Sequence, residues 1–210
     1  MQRKLIIILL IWILVLHGCA PSLSTKKVDP GKTVSLLENE EVVFGKIMFV
    51  EKGELNPWGV PVVPSLLHLE SEKYSSNLLL ENDGSFFWIV PRGTYIISGI
   101  SGYKFTILPQ IAFQAPLGVD AIYLGNLIID LETKKILAVR YIKTLNGIKV
   151  IDEFDKAKES FISRNPDFKG KIEKNLMIHD TSIPTDTSLY TQQKLLSILN
   201  AIGFGLLTIH

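Results

Sequence analysis

The sequence predicts a mainly β protein, an antiparallel β-sandwich followed by C-terminal α-helices. Three observations predict it. Between about residue 41 and residue 151, runs of β-branched and aromatic residues alternate with turn signals every 8–12 residues, the spacing of a sandwich. At Asp152 the apolar period changes from that of a strand to that of a helix. Ahead of both, residues 1–18 have the composition of an export signal, which is removed and takes no part in the fold.

The β region opens with Val42 to Val50, rich in branched and aromatic side chains. Asn56-Pro57-Trp58-Gly59 and the prolines from Pro61 to Pro64 then break the chain into turns and edge-like backbone. Leu66–Leu69 and Leu78–Leu80 are short apolar runs. Asn82-Asp83-Gly84 supplies a tight turn, because Asp-Gly accepts positive φ at low cost. Ser85–Val90 follows as a strand, Pro91-Arg92-Gly93 as a turn and Thr94–Ile100 as the next strand. Two more strands are expected at Ala121–Leu131 and Ile136–Thr144, with Asn146-Gly147 as a hairpin turn into Ile148–Ile151.

Four motifs occur in order: Gly45-Lys46-Ile47, Asp83-Gly84-Ser85-Phe86, Pro91-Arg92-Gly93-Thr94-Tyr95-Ile96-Ile97 and Ser101-Gly102-Tyr103. This order resembles the carboxypeptidase regulatory-like, or prealbumin-like, β-sandwich family over roughly residues 41–105. The stretch between Asn56 and Pro64 is longer than that pattern. The resemblance implies two packed sheets with Phe86, Trp88 and Tyr95 filling the space between them. Such modules are mostly accessory, so it implies little about activity.

Beyond the sandwich, a helix is expected from Asp152, with Phe154, Phe161 and Ile162 on one face and Asn165-Pro166 as its end. A second helix is expected from Asp167, presenting Phe168, Ile172 and Leu176, although Gly170 weakens it by about 1 kcal/mol relative to alanine. Ile178 to Thr187 reads as loop and Thr191 to about Gly203 as a helix. The whole segment 152–210 is expected to pack on the sandwich.

The N-terminus carries the most specific signal. Arg3 and Lys4 precede twelve unbroken apolar residues, Leu5 to Leu16, too few for comfortable spanning of a bilayer, which takes about 20. Leu16-His17-Gly18-Cys19 follows, and Cys19 is the only cysteine of the chain. This ending resembles the lipobox of bacterial lipoproteins, with His17 where a small or aliphatic residue is usual. The resemblance implies cleavage between Gly18 and Cys19 and a diacylglyceryl group on the Cys19 thiol. A lone cysteine has no disulfide partner within the chain, which agrees with lipid attachment. Two or more acyl chains hold a protein firmly to a membrane without a spanning helix. Residues 19–40 then form the lipidated cysteine and a tether, flexible from Ala20 to Lys32, ahead of the β domain at 41–151. Ala20 follows the cysteine, which in a Gram-negative cell implies the outer membrane, facing the periplasm.

With the signal removed, the 22 basic residues lose Arg3 and Lys4 and stand against 21 acidic ones, a net charge of −1. That balance argues against nucleic acid and against a polybasic membrane contact as partners. No cofactor is implied. Gly31-Lys32-Thr33 lacks the glycine of a phosphate loop, Lys26 standing in its place. His68, His179 and His210 form no metal-binding spacing, and Gly99-Ile100-Ser101-Gly102 is not a nucleophile elbow. Glu38, Glu40, Glu41, Glu51 and Glu54 are expected as solvated or edge-strand charges.

The expectation is therefore a membrane-anchored, non-enzymatic envelope protein that binds or braces another envelope protein. Two alternatives stand beside it. Trp58, on an irregular loop, would stack on a sugar in a carbohydrate-binding module, or would simply cover the end of the core. His179 and Asp180 would serve an envelope hydrolase as a base with its orienting acid, or as metal ligands.

Overall fold

The computed structural model describes residues 23–55, 62–75, 78–102, 105–136 and 139–184. The expected site residues Gly18, Cys19 and Trp58, and the helix expected at Thr191–Gly203, lie outside them. The described chain is mainly β, in two mostly antiparallel sheets. Its elements run β1 (Lys26–Lys27), β2 (Glu40–Glu51), β3 (Glu54–Leu55), β4 (Val63–His68), β5 (Lys73–Ser75), β6 (Ser85–Pro91) and β7 (Gly93–Gly102). They continue with β8 (Phe105–Ile107), β9 (Ile111–Ala115), β10 (Ala121–Ile136), β11 (Val139–Ile151), α1 (Phe154–Arg164), β12 (Ile172–Lys174) and β13 (Ile178–His179).

The first sheet has the order β1-β6-β2-β10-β11, with β3 on β2 and β12 on β10. The second has the order β13-β9-β7-β4-β5, with β8 on β7. One core cluster draws on both: Val43, Ile47, Phe86, Trp88 and Leu127 from the first, Leu66, Tyr95, Ile97 and Phe113 from the second. Phe86, Trp88 and Tyr95, the aromatics expected in the core, all belong to it. The alternate residues of β2 and β6, Val42, Phe44, Phe87 and Ile89, join a second cluster with Phe161 of α1. These strands are thus buried on both faces, which explains the near-continuous apolar run Val42–Val50. Full burial of each large side chain contributes about 1.5–3 kcal/mol.

Gly125 reconciles β10 with this core. Ile122 and Leu124 enter the first cluster on even numbers, but Leu127, Ile129 and Leu131 enter it on odd ones. The pairing with β2 slips by one residue between Tyr123 and Asn126. Gly125 takes φ +96° inside that bulge, a conformation that side chains disfavour.

Two segments lace the sheets together. At one side, the Leu23 N–H donates to the Tyr74 carbonyl in β5 at 2.9 Å, and Lys26 and Lys27 then pair with Ile89 and Trp88 of β6. At the other side, the Asn175 N–H donates to Tyr123 O at 3.0 Å while its side-chain amide donates to Gln114 O at 3.1 Å. Β13 then pairs with β9.

Several expectations are corrected. Much of the segment expected as a flexible tether belongs to the fold: Leu23 and Val28 are buried and β1 is hydrogen-bonded. No second helix forms over Ile172–Lys174, which is β12, parallel to the start of β10. Β11 stops opposite Asn126, leaving Ala121–Tyr123 with an unused backbone edge, and β12 completes it. Asn146-Gly147 is no hairpin turn. It lies within β11, where Asp130 pairs with Gly147 and Leu131 with Leu145, so Asn146 is the extra residue of a bulge. The last pair of the β10–β11 ladder is Ile136 with Val139. Helix α1 spans Phe154–Arg164 and buries Phe161, but Ile162, expected on the same face, is exposed, and the cap position falls to Glu153, with Asp152 accepting from the Phe154 N–H at 3.0 Å just ahead. Among the described residues no helix is long and apolar enough to cross a membrane.

Candidate functional site

The densest polar constellation sits where Pro91-Arg92-Gly93 carries the chain from the first sheet to the second. His68, at the end of β4, points its ring at this crossover and packs on Tyr95, with ring centroids 4.9 Å apart. Its Nδ1 lies 2.7 Å from the Ser71 hydroxyl and accepts from the Ser71 backbone N–H at 3.3 Å. A backbone N–H can only donate, so the bonding pattern assigns the ring proton to Nε2, which donates to Arg92 O at 3.1 Å. Glu70 stands 3.3 Å from the same Nε2, and its carboxylate accepts from the Thr94 N–H at 2.9 Å. Gly93 has φ +146°, and a Cβ there would collide with the His68 ring and Glu70.

His68, Glu70 and Ser71 have the connectivity of an acid–histidine–serine relay, but the bonds are spent on backbone. The single lone pair of the imidazole faces two Ser71 donors, and Glu70 is engaged by Thr94. The group staples the β4–β5 hairpin to the crossover. The sequence offered no motif for it, since His68 reads only as part of the short apolar run Leu66–Leu69; a buried histidine facing a glycine turn is visible only in three dimensions.

Arg92 continues the staple. Its guanidinium donates to Glu38 O at 2.7 Å and to Val119 O at 3.3 Å. Glu41, expected as a solvated charge, is instead fully buried, because β2 is a central strand between β6 and β10. Its carboxylate oxygens have no hydrogen-bond partner among the described residues. The nearest cationic atom is Arg92 Nε at 4.0 Å. Burial outweighs the attraction of Arg92 and, with Asp120 adding repulsion, pushes the Glu41 carboxyl up to about 8. Burial likewise pushes the Tyr95 phenol up, and its hydroxyl donates to Pro91 O.

A second polar place lies under α1. A cleft of about 90 Å³ is bounded by Phe44, Lys46, Phe87, Asn126, Glu153 and Lys156. Asn126, 3% exposed, donates to Glu153 Oε2 at 2.6 Å, while its buried Oδ1 has no donor among the described residues. The cleft has room for several waters.

The other expected residues are not gathered into a site. His179 is exposed on β13 beside Ile111. The Asp180 carboxylate caps a turn by accepting from the Ser182 N–H at 2.7 Å. The pair therefore shows strand-end and turn geometry rather than a base held by its acid. Among the described residues no group of three or more His, Cys, Asp or Glu is placed to hold a metal ion. Comparison with protein-family models, with curated proteins and with solved structures found no match for this chain.

Proposed function

We propose that the protein is a lipid-anchored component of a bacterial cell envelope, in which a β-sandwich binds or braces another envelope protein without turnover. The observation that carries this reading is Leu16-His17-Gly18-Cys19, the lipobox-like ending of a signal-like segment at the chain's sole cysteine. In a Gram-negative cell the station is the outer membrane, facing the periplasm. The sandwich is supported by a core cluster shared between the two sheets and by the motif order that resembles carboxypeptidase regulatory-like modules. Helix α1 belongs to the C-terminal cover of that sandwich, packing on the outer face of the first sheet.

The polar side chains support a scaffold role. Arg92 binds the carbonyls of Glu38 and Val119, Gln110 those of Thr181 and Ile183, and Asp120 the Lys171 N–H. These bonds tie loop backbone to side chains of the fold. Crosslinking in intact cells tests the reading. A discrete crosslinked adduct with an envelope protein is expected, lost when Cys19→Ser releases the protein from the membrane. Absence of any adduct, or an adduct indifferent to Cys19→Ser, contradicts it.

A further inference from the structure

We propose that the edge of the fold formed by Leu23 and β5 lies against the phospholipid bilayer, with Tyr74 as its interfacial contact. The proposal rests on the lipid anchor at Cys19 and adds to it a fixed orientation of the body.

Leu23 is 8% exposed and belongs to the core cluster shared by the sheets. Its N–H is bonded to Tyr74 O at 2.9 Å, and Thr25 and Ser75 exchange a hydroxyl hydrogen bond beside it. The rigid body therefore begins four residues after the lipidated cysteine. Whatever path those residues take, they reach at most about 14 Å. A body of this size has a radius of gyration of about 15 Å, so its diameter exceeds the reach of its leash. The headgroup layer takes up a further share, roughly 5–8 Å on each side of the hydrocarbon. The anchored body cannot turn its opposite edge to the membrane. A free tether reaching to Lys32 would have permitted that turn.

The exposed groups at this edge suit the headgroup layer. Tyr74 is 45% exposed, and tyrosine places an apolar ring and a polar tip across such an interface. Leu79, 52% exposed, follows core residue Leu78, and its carbonyl accepts from Trp88 Nε1 beneath β1. The lysines of β1 are paired, Lys26 with Glu40 at 3.2 Å and Lys27 with Glu81 at 2.8 Å, and Lys73 of β5 follows the acidic Glu70 and Glu72, so the edge carries no basic excess. The contact is therefore one of short leash and amphipathic surface, and anionic lipid is not required.

Because Cys19 is the only cysteine and is acylated, an introduced cysteine is the only free thiol. Full-length lipidated protein carrying Tyr74→Cys, Leu79→Cys or Leu145→Cys is labelled with a small fluorophore. Each is reconstituted in phosphatidylethanolamine–phosphatidylcholine vesicles containing a headgroup-nitroxide lipid. Leu145 is 43% exposed on β11, four strands from β1, about 19 Å across the sheet. Several-fold stronger quenching at residues 74 and 79 than at 145 is expected. Equal quenching, or stronger quenching at 145, in protein that floats with vesicles and carries its acyl mass overturns the orientation alone. Protein that neither floats nor carries that mass overturns the anchor and the orientation together.

Discussion

The Glu41 carboxylate lies 4.0 Å from Arg92 Nε inside the fold, and neither group makes a hydrogen bond across that gap. A carboxyl in this position is more stable protonated, and burial places its titration at about 8, against 4.5 when exposed. Between those values the folded chain holds a proton that the unfolded chain has released. Folding stability is thus fully present below the unfolded value and is lost as pH rises toward 8, at up to about 1.4 kcal/mol per pH unit. Glu41→Gln keeps the shape and removes the titration. Urea denaturation across this pH range should show the wild type losing stability where the variant does not, with the variant the more stable above pH 8. Parallel curves would contradict a buried, protonated Glu41.

The bulge in β10 depends on two glycines that face each other. A Cβ on Gly45 would run into the carbonyl oxygen of Gly125, and one on Gly125 would strike Val150 from a left-handed backbone. Gly125→Ala should cost about 1–3 kcal/mol, the range for a non-glycine residue held in a sparsely populated conformation. Gly45→Ala meets backbone and should cost at least as much. Denaturation midpoints measure both. A neutral Gly125→Ala would mean that the register slip is not held by this residue.

Asp83 titrates in the opposite sense. Burial raises it, but hydrogen bonds from Lys46 at 2.7 Å and from the Ser85 N–H and hydroxyl, with the Lys46 charge, hold it down at about 2. Its contribution is present above the ordinary value of 3.8 and is lost as pH falls through 2. Asp83→Asn should therefore be less stable than wild type near neutrality, with the difference shrinking on acidification. The group is half in solvent, so salt should also shrink that difference. A difference independent of pH would show that Asp83 acts only through its Asx turn.

The strands and Asp-Gly turn were legible because they depend on local chemistry. Gly84 takes φ +81° where Asp83-Gly84 predicts a turn, and Val42–Val50 lies within β2. What was illegible depends on distant partners. Asn146-Gly147 has hairpin chemistry, yet β10 offers backbone partners on both sides of it, and long-range pairing prevails over the local turn preference. Ile172 and Leu176 have helical spacing, but the open edge beside Ala121 captures the backbone as a strand. Glu41 has a polar side chain in a strand whose central place in the sheet is set by distant segments, β6 pairing Val90 with Glu41 and β10 pairing Ala121 with Val42. His68 joins Arg92 and Glu70 through a crossover between sheets, which no local pattern announces.

The central claim is the anchor at Cys19, and the intact mass of the protein extracted from its native membranes tests it most directly. The account predicts a chain that begins at Cys19 and carries diacylglyceryl on its thiol. A chain that still begins at Met1, or one that begins elsewhere with an unmodified thiol, would contradict it.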